Sequence, residues 1–548
     1  MAKELGQGLD NGDGNGTAAD GQLHVDEIDS LVLICPTLMF LNFNGEAGIK
    51  ASFLTAVGNT LYFRADDGNN GYELWKSDGT ATGTMMVKDF NTGYLTAVGN
   101  TLYFQANDGT NGTELWKSDG TAGGTVMVKN INTASDSTSS YGISDLTAVG
   151  NTLYFEAYDT TNGHALWKSN GTALSTVMVK DTWSEIATSP LLSEFTVMGN
   201  TLYFRAYDPT NGFELWKSDG TATGTVMVKD IISGSSSGYP SSLTVLGNTL
   251  YFTASDGTNG SELWKSDGTP SGTVMVKNIR SGSSSSYPEL ITLVGNTLYF
   301  RADNGINGRE LWKSDGTASG TVMVKDINNG SANSLLFELT AVGNTLYFQA
   351  SDGTNGTELW KSDGTASGTV MVKDIYSGSG SSDPDQLTAI GNTLYFQANN
   401  GTNGSELWKS DGTAAGTVMV KDINNGSSGS SPDTLTAFGN TLYFRADDGI
   451  NGRELWKSDG TASGTMMVKD INTATDWRSA YSISYLTVFG NNLYFQAYNT
   501  TYGSELWKSD GTAAGTVLAK DINWGSDPSG PSELTAIGNT LYFRAYDG

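Results

Sequence analysis

Residues 339–375 read LTAVGNTLYFQASDGTNGTELWKSDGTASGTVMVKDI. Four apolar runs, LTAV, TLYFQA, ELWKS and TVMVKDI, are separated by short segments rich in Gly, Asn and Asp. The runs have the length and the β-branched and aromatic content of strands, and their spacing differs from the i, i+3, i+4 pattern of a helix. Gly343-Asn344 is a hairpin connection because both residue types tolerate positive φ. The segment therefore predicts four antiparallel strands joined by three turns.

The two faces of these strands indicate what the sheet packs against. In TLYFQA one face carries Leu346, Phe348 and Ala350, and the other carries Tyr347 and a residue that varies between repeats. A sheet with one face in water would alternate apolar and polar residues. Because both faces are largely apolar here, we expect each sheet to lie between two copies of itself.

The same unit recurs along the chain, and ELWKSDGT or a close variant occurs ten times. Its tryptophans are Trp75, Trp116, Trp167, Trp216, Trp264, Trp312, Trp360, Trp408, Trp456 and Trp507. An eleventh unit stops after its first half at Gly548. Four-stranded units of roughly 40–50 residues are typical of β-propeller blades. The sequence predicts an all-β fold, a β-propeller of ten full repeats and a half repeat over residues 54–548, with a β-solenoid-like array as the alternative.

The number of blades per ring stays open in the sequence. Residues 132–146 and 472–486 are identical at nine of fifteen positions and lie seven units apart. This echo fits a duplicated seven-unit block, and it fits equally a recent recombination without geometric meaning. One seven-bladed ring with part of a second, or a single ring of ten or eleven blades, would satisfy the pattern.

The repeated octets resemble the bacterial ELWxxDGT repeat family over residues 54–548. The resemblance implies a secreted or cell-surface repeat protein of propeller-like fold with no established reaction. It implies no catalytic residue, and none is predicted here.

Charge narrows the classes of partner. The chain has 58 acidic and 31 basic residues and a net charge of −27. Such a chain should repel nucleic acid and anionic membrane surfaces, so we expect neutral, cationic or calcium-bridged partners, with glycans and other surface proteins as candidates.

Cys35 is the single cysteine, which excludes an intramolecular disulfide. The apolar run at residues 30–41 is too short for a membrane span and is broken by Pro36, and no signal peptide is recognisable at the start.

The first 35 residues form a separate acidic, Gly- and Asp-rich segment, in which residues 20–27 match the second half of an EF-hand loop. The alternative is a solvated acidic linker. Residues 36–53 predict a connecting segment that is a degenerate repeat or cap, and TLMFLNFNG at residues 37–45 resembles TLYFRADDG. Such a segment could complete the last half-unit and close a ring, or be donated to a neighbouring molecule. The possible calcium ligands are Asp10, Asp13, Asn15, Asp20 and Glu27.

Other candidate sites follow from the repeat. The invariant tryptophans are expected to pack between blades, whereas Trp183, Trp477 and Trp524 lie in inter-unit loops and are candidate ligand contacts. Aspartates such as Asp363 are explained by turns. The DGTNG loops could bind calcium, with Glu358 and its equivalents just after the loop as a further ligand, but turn formation explains these loops equally well.

The favoured function is a non-catalytic extracellular scaffold for binding, adhesion or surface assembly. The alternative is a carbohydrate-active propeller enzyme, a glycosidase or lyase.

Overall fold

A computed structural model describes residues 31–34, 38–40, 52–66, 71–80, 82–133, 142–182, 192–473, 483–537 and 540–546. Side chains are described from residue 52 onwards. All regular structure in these ranges is β-strand, and no helix that could cross a membrane is found among them. The strands form eleven separate four-stranded antiparallel sheets. We number the units 1 to 11 in chain order and refer to their first to fourth strands.

Each strand position in the unit recurs with nearly constant bounds. The first strands are Ser52–Val57, Asn91–Val98, Ile143–Val149, Leu192–Met198, Ser241–Leu246, Glu289–Val294, Phe337–Val342, Asp385–Ile390, Asp433–Phe438, Ile483–Phe489 and Ser532–Ile537. The second strands are Thr60–Asp66, Thr101–Asn107, Thr152–Asp159, Thr201–Asp208, Thr249–Ser255, Thr297–Asp303, Thr345–Ser351, Thr393–Asn399, Thr441–Asp447, Asn492–Asn499 and Thr540–Arg544. The third strands are Tyr72–Ser77, Thr113–Ser118, Gly163–Ser169, Gly212–Ser218, Ser261–Ser266, Arg309–Ser314, Thr357–Ser362, Ser405–Ser410, Arg453–Ser458 and Gly503–Ser509. The fourth strands are Met85–Lys88, Val126–Lys129, Val177–Lys180, Val226–Lys229, Val274–Lys277, Val322–Lys325, Val370–Lys373, Val418–Lys421, Met466–Lys469 and Val517–Lys520.

Within units 1 to 10 the strands pair in sequence order, which confirms the predicted meander. The first hairpin of unit 7 pairs Val342 with Thr345 across Gly343 and Asn344. Gly343 has φ of +59°, as a tight hairpin that begins with glycine requires. The second and third strands pair without interruption, from Leu346 opposite Ser362 to Ser351 opposite Thr357.

The eleventh sheet draws its strands from both parts of the chain. Thr540–Arg544 pairs with Leu31–Ile34, which in turn pairs with Leu38–Phe40. The spatial order of strands in this sheet is therefore Ser532–Ile537, Thr540–Arg544, Leu31–Ile34 and Leu38–Phe40. The resemblance of residues 37–45 to a second strand does not match this placement, because Leu38–Phe40 takes the fourth-strand position. The strand that contacts the last unit lies at residues 31–34, ahead of the segment from which the pairing was expected.

Each sheet buries both faces, as the alternation predicts. In unit 7, Leu346, Phe348 and Ala350 are fully buried in a cluster with residues of unit 6, including Tyr299. Tyr347, on the opposite face, is buried in a cluster with residues of unit 8. Every sheet of this type is consequently packed between its two neighbours.

Hydrophobic clusters shared between neighbouring sheets also occur on both sides of unit 11. Unit 11 contributes Leu541 and Phe543 to a cluster with residues of unit 10 such as Tyr494. From the other face of the same strand, Tyr542 packs in a cluster with Phe63 and other residues of unit 1. The eleventh sheet thus contacts both the tenth and the first.

The first strands of successive units lie against one another, as shown by Thr96 Oγ1, which donates to the carbonyl oxygen of Leu146 at 3.2 Å. A crossover, the segment that links a fourth strand to the next first strand, packs on the start of the third strand. Ser261 N donates to Ser285 Oγ at 2.9 Å, and Ser286 N donates to Ser261 O at 3.0 Å. Crossovers and second-to-third turns therefore share one face, which we call the crossover face.

Candidate functional site at the crossover face

The glutamate of ELWKS holds the crossover in place. Glu358 is fully buried. Its carboxylate accepts hydrogen bonds from the backbone N–H groups of Ile375 at 3.0 Å, Tyr376 at 3.1 Å and Ser382 at 3.2 Å. Ser382 Oγ donates a further bond at 2.6 Å. The carboxylate oxygens that were candidates for calcium coordination are thus used to bind the crossover backbone, because buried backbone donors need acceptors.

Burial shifts these carboxyl groups strongly. Desolvation outweighs the hydrogen bonds and raises the pKa of Glu114, Glu214 and Glu505 to about 7. It raises the pKa of Glu310 and Glu454 to about 8. The pKa shift arises because the ionised form is removed from water. Since the same group recurs from unit to unit, the crossovers share one type of titratable anchor.

Unit 3 departs from this arrangement. Ala165 replaces the third-strand glutamate, and a buried carboxylate appears instead on the second strand as Glu156. Glu156 accepts bonds from Ser144 Oγ at 2.8 Å and from Leu192 N at 3.3 Å. His164 Nδ1 lies 3.5 Å from its Oε1, and burial lowers the pKa of His164 to about 4, so this histidine is neutral at pH 7. The carboxylate has moved to the neighbouring strand and still binds the start of the next unit.

The repeated tryptophans pack between units, which confirms that prediction. Trp360 is 5% exposed and lies in the cluster shared by units 6 and 7. Lys325, from the fourth strand of unit 6, donates through Nζ to Thr369 O at 2.8 Å and lies 5.7 Å from the Trp360 ring centroid. Equivalent lysine contacts recur between other units, so this lysine and tryptophan form an inter-unit clamp.

The aspartates of the repeat form turns. Asp363 Oδ1 accepts from the backbone N–H of Thr365 at 2.8 Å and from its hydroxyl at 2.7 Å, and these bonds lower the pKa of Asp363. In the DGTNG loop, Asp352 accepts from the N–H groups of Thr354 and Asn355. Among the described residues, no group of three or more His, Cys, Asp or Glu side chains is arranged to hold a metal ion.

The variable residues concentrate on the crossover face. We call rim positions the variable residue of the second strand and the first-strand residue opposite it. The second-strand members are Arg64, Gln105, Glu156, Arg205, Thr253, Arg301, Gln349, Gln397, Arg445, Gln496 and Arg544. The first-strand members with a register partner among them are Ser52, Ser144, Ser193, Ser241, Glu289, Phe337, Asp385, Asp433, Ser484 and Ser532.

Arginines at the rim reach the next unit. Arg301 Nη1 donates to Leu336 O at 3.1 Å, and Arg445 Nη1 donates to Ile483 O at 2.7 Å. In unit 9 the carboxylate of Asp433 also accepts from Arg445 Nε at 2.7 Å and from Arg453 Nη1 at 2.9 Å. Glu289 pairs in the same way with Arg301 and Arg309 in unit 6. The rim therefore carries guanidinium groups in a strongly acidic protein, and their side chains are held in place.

The backbone beside the rim is strained. In ten units the residue that follows the first-strand rim position has positive φ, between 53° and 61°, although it is never glycine. Thr434 and Tyr485 are examples, with φ of 53° and 57°. A non-glycine residue in this region costs on the order of 1–2 kcal/mol. The positive φ coincides with a break in the register between the first and second strands, as between Asp433 and Thr436 in unit 9, so it belongs to a β-bulge that recurs in the repeated frame.

A cleft opens at this face between units 10 and 11. Its volume is about 400 Å³, and its lining includes Tyr485, Gln496, Arg544 and Tyr546. The crossover wall is fixed because Gly530 N donates to Ser504 O at 2.9 Å. Both tyrosines are half exposed, at 47% and 42%.

Of the predicted ligand-binding tryptophans, Trp524 lies on the crossover that forms this cleft wall, and it is 87% exposed. Its role as a ligand contact stays a prediction. Trp183 and Trp477 lie outside the described residues. The calcium residues Asp10, Asp13, Asn15, Asp20 and Glu27 also lie outside them.

The sequence shows that the second-strand rim residue varies, but it predicts neither the place of this residue on the crossover face nor the role of the crossover glutamate. The pattern of the repeats could have indicated the rim residue and the glutamate. Alignment of the eleven TLYFxA segments isolates the variable position, and the glutamate is kept in every complete unit except unit 3.

Comparisons with known proteins give weak structural matches only. No protein-family model and no curated protein matches the chain. Solved structures that match include a puromycin hydrolase, with 15% identity over 63% of this chain and 56% of that chain and a TM-score of 0.29. Oligopeptidase B from Leishmania major matches with 13% identity over 64% and 52%, and a TM-score of 0.31. This chain thus spans little more than half of the proteins it matches, and TM-scores of this size support no assignment of activity.

Proposed function

We propose that this chain is a non-catalytic binding scaffold built as a closed eleven-bladed β-propeller, with the crossover face as its binding surface. The observation that carries the proposal is the distribution of sequence variation. Residues that pack sheets together are repeated almost unchanged, whereas the rim positions on one face differ from unit to unit. A surface that differs around a constant frame is suited to recognition.

Ring closure is supported by the contacts of unit 11. Tyr542 packs with unit 1 while Phe543 packs with unit 10, so the array has a neighbour on both faces of its last sheet. The amino-terminal strand Leu31–Ile34 then covers the edge of Thr540–Arg544, which removes an exposed strand edge. These contacts favour eleven blades over a seven-bladed ring with a remainder.

The class of ligand follows from charge and surface chemistry. A net charge of −27 disfavours polyanions such as nucleic acid. Exposed aromatic and amide groups on the crossover face suit glycans or the surfaces of other proteins. The resemblance to ELWxxDGT repeat proteins is consistent with a place outside the cell or on its surface, in adhesion or surface assembly.

Projection images along the ring axis test the closure. Eleven equivalent densities are expected, and seven would contradict it. Native mass spectrometry of the full chain should give a monomer, because the last sheet is completed within one chain. A dimer or polymer that resolves on removal of residues 1–41 would instead show that these strands are exchanged between copies.

A glycan array combined with a hydrolysis screen of the same glycans tests the binding function. We expect binding without turnover. Chain cleavage of a bound polysaccharide would overturn the non-catalytic proposal in favour of a carbohydrate-active enzyme. To place the ligand on the crossover face, Tyr287→Ser and Asn344→Ser are compared, since Tyr287 is 52% exposed on a crossover, Asn344 lies in an exposed turn on the opposite face, and neither substitution changes the charge. If both substitutions weakened binding equally, the crossover face would not be the binding surface.

A further inference from the structure

We propose that Asn329 and Asn425 are two sites of spontaneous covalent modification, at which water converts the asparagine side chain to a carboxylate. Asn329 lies on the crossover between units 6 and 7, and Asn425 lies on the crossover between units 8 and 9. Each is followed by a glycine, whose backbone nitrogen is not hindered by a side chain. The proposal is independent of any ligand that the crossover face binds.

The reaction consumes water and releases ammonia. The backbone nitrogen of Gly330 attacks Cγ of Asn329, so that a bond forms between them and the bond from Cγ to Nδ2 breaks. The amide group leaves as ammonia with the proton of the glycine nitrogen, and a five-membered succinimide remains. Water then adds to one of the two carbonyl carbons of the Asn329 residue in the ring. Cleavage between the ring nitrogen and Cγ gives aspartate, and cleavage between the ring nitrogen and the backbone carbonyl carbon gives isoaspartate. Each conversion adds one negative charge to the crossover face.

At the other Asn-Gly peptides of the described residues, a turn holds the asparagine side chain. Asn259 Nδ2 donates to Asp256 Oδ2 at 2.6 Å, and Asn259 N donates to Asp256 Oδ1 at 2.7 Å. Asn403 Nδ2 donates to Asp422 Oδ2 at 2.6 Å, and its Oδ1 accepts from Asn400 Nδ2 at 2.9 Å. These bonds fix the amide and keep Cγ from turning toward the next nitrogen. The other asparagines of this kind with a bonded side chain are Asn111, Asn162, Asn170, Asn211, Asn304, Asn307, Asn355, Asn400 and Asn451.

Asn329 and Asn425 lack this restraint. Both side chains are exposed, and neither forms a hydrogen bond with another residue that the structure describes. The crossover is fixed just before them, as where Asn424 N donates to Glu406 Oε1 at 3.2 Å. The reactive peptide therefore begins immediately after the anchor, and the anchor need not be broken for the ring to form.

The backbone around the two glycines is open as well. A Cβ placed on Gly404, in a protected turn, would lie 2.4 Å from Gly429 N, because the crossover backbone covers this peptide. A Cβ placed on Gly330 or Gly426 would meet no atom within 4 Å. Gly330 N donates to Asp326 Oδ2 only at the long distance of 3.4 Å. The rotation that ring closure requires is thus free at the exposed crossovers and hindered in the packed turn.

The chain supplies controls with the same local sequence. Asn329 and Asn425 stand in the tripeptide Asn-Gly-Ser, and so do the protected Asn259 and Asn403. A difference in rate between the two pairs in the folded protein must therefore come from the fold. Asn329→Ser removes one site, and the fold should tolerate it because the crossovers after units 4, 5 and 7 carry serine at the equivalent position.

The test is incubation of the full chain at mildly alkaline pH in water enriched in oxygen-18, with peptide mapping by mass spectrometry at successive times. We expect Asn329 and Asn425 to take up the label faster than Asn259 and Asn403 by a factor on the order of ten or more, because the protected peptides react only after local opening. In Asn329→Ser, uptake at Asn425 should be unchanged. In concentrated denaturant all four asparagines of the wild type should react at similar rates.

Two results would overturn the proposal. One is uptake of the label at Asn259 or Asn403 in the folded protein as fast as at Asn329 and Asn425. The other is a difference between the two pairs that persists in denaturant, since the fold would then not be its cause.

Discussion

The buried glutamates make the stability of the protein depend on pH, and Glu310→Gln isolates one of them. Burial raises the pKa of Glu310 to about 8, against 4.5 for an exposed glutamate. The folded state therefore holds the proton more tightly than the unfolded state. The associated stability is fully present below pH 4.5 and is lost as pH rises through 8.

The size of the loss follows from the shift. Each pKa unit corresponds to ~1.4 kcal/mol, so ionisation of Glu310 costs on the order of 5 kcal/mol once the pH exceeds 8. Glutamine has the same shape and carries no charge, and the variant escapes this cost. It suffers a different one, because its amide cannot accept from both Ile327 N at 2.9 Å and Asn328 N at 3.4 Å. The loss of one such bond costs about 1 kcal/mol.

The two stability curves should therefore cross. At pH 4.5 Glu310→Gln is expected to be less stable than wild type by about 1 kcal/mol, and above pH 8 it is expected to be the more stable of the two. The assay is urea unfolding of both proteins at half-unit steps from pH 4.5 to 9, with the difference in midpoint taken at each pH. All other titrating groups are common to both proteins and cancel in this difference.

Glu262→Gln is the matched control. Its carboxylate accepts a hydrogen bond from Ser286 Oγ at 2.6 Å, and this bond lowers the pKa of Glu262 more than any other bond does. In unit 6 the equivalent Ser334 Oγ donates to Arg309 O at 2.9 Å, and Ser334 lowers the pKa of Glu310 less than the backbone bonds do. The stronger bond to Glu262 stabilises its ionised form, so the pH dependence of this variant should be weaker. Parallel curves for Glu310→Gln and wild type across the whole pH range would refute the raised pKa and with it the account of the crossover anchor.

Three further outcomes are expected. Trp360→Ala should cost about 3–5 kcal/mol in urea unfolding, because it empties the packing between two units, while Trp524→Ala should change stability by less than ~0.5 kcal/mol. Lys325→Met removes the bond to Thr369 O and the contact with the Trp360 ring, and should lower stability by about 1–2 kcal/mol with an unchanged denaturant slope. Calcium should raise the melting temperature of the full chain if residues 10–27 bind it, and Glu27→Gln should remove the effect; a chelator without influence on wild type would count against the site.

Much of the unit could be predicted because it depends on local pattern. The strand runs around Gly343-Asn344 and the two buried faces of TLYFQA follow from alternation and turn chemistry, which act within a few residues. The position of Trp360 between units follows as well, since a large aromatic residue on a strand covered on both sides must be buried.

The crossover anchor could not be predicted by the same means. Glu358 and its main donors are separated by 17 to 24 residues, and only the folded unit brings them together. In the sequence, the glutamate beside DGTNG appears as a potential metal ligand, because an acidic residue next to a turn has the same local appearance in both roles. The pairing of Leu31–Ile34 with Thr540–Arg544 lies beyond any local pattern, since these strands are separated by nearly the whole chain.

Unit 3 shows which structural requirement the repeat imposes at the crossover and which positions it allows to vary. Where Ala165 has removed the anchor, Glu156 supplies a carboxylate from the rim position of the neighbouring strand and still accepts a backbone bond, from Leu192 N. The requirement is for a buried acceptor beneath the crossover, and it is independent of the strand that provides it. In other units the glutamate of the third strand meets this requirement. The second-strand residue is therefore not needed as an acceptor and can vary. This freedom explains why variation gathers at the rim, and why unit 3, whose rim residue is fully buried, is the least suited of these units to contact a ligand.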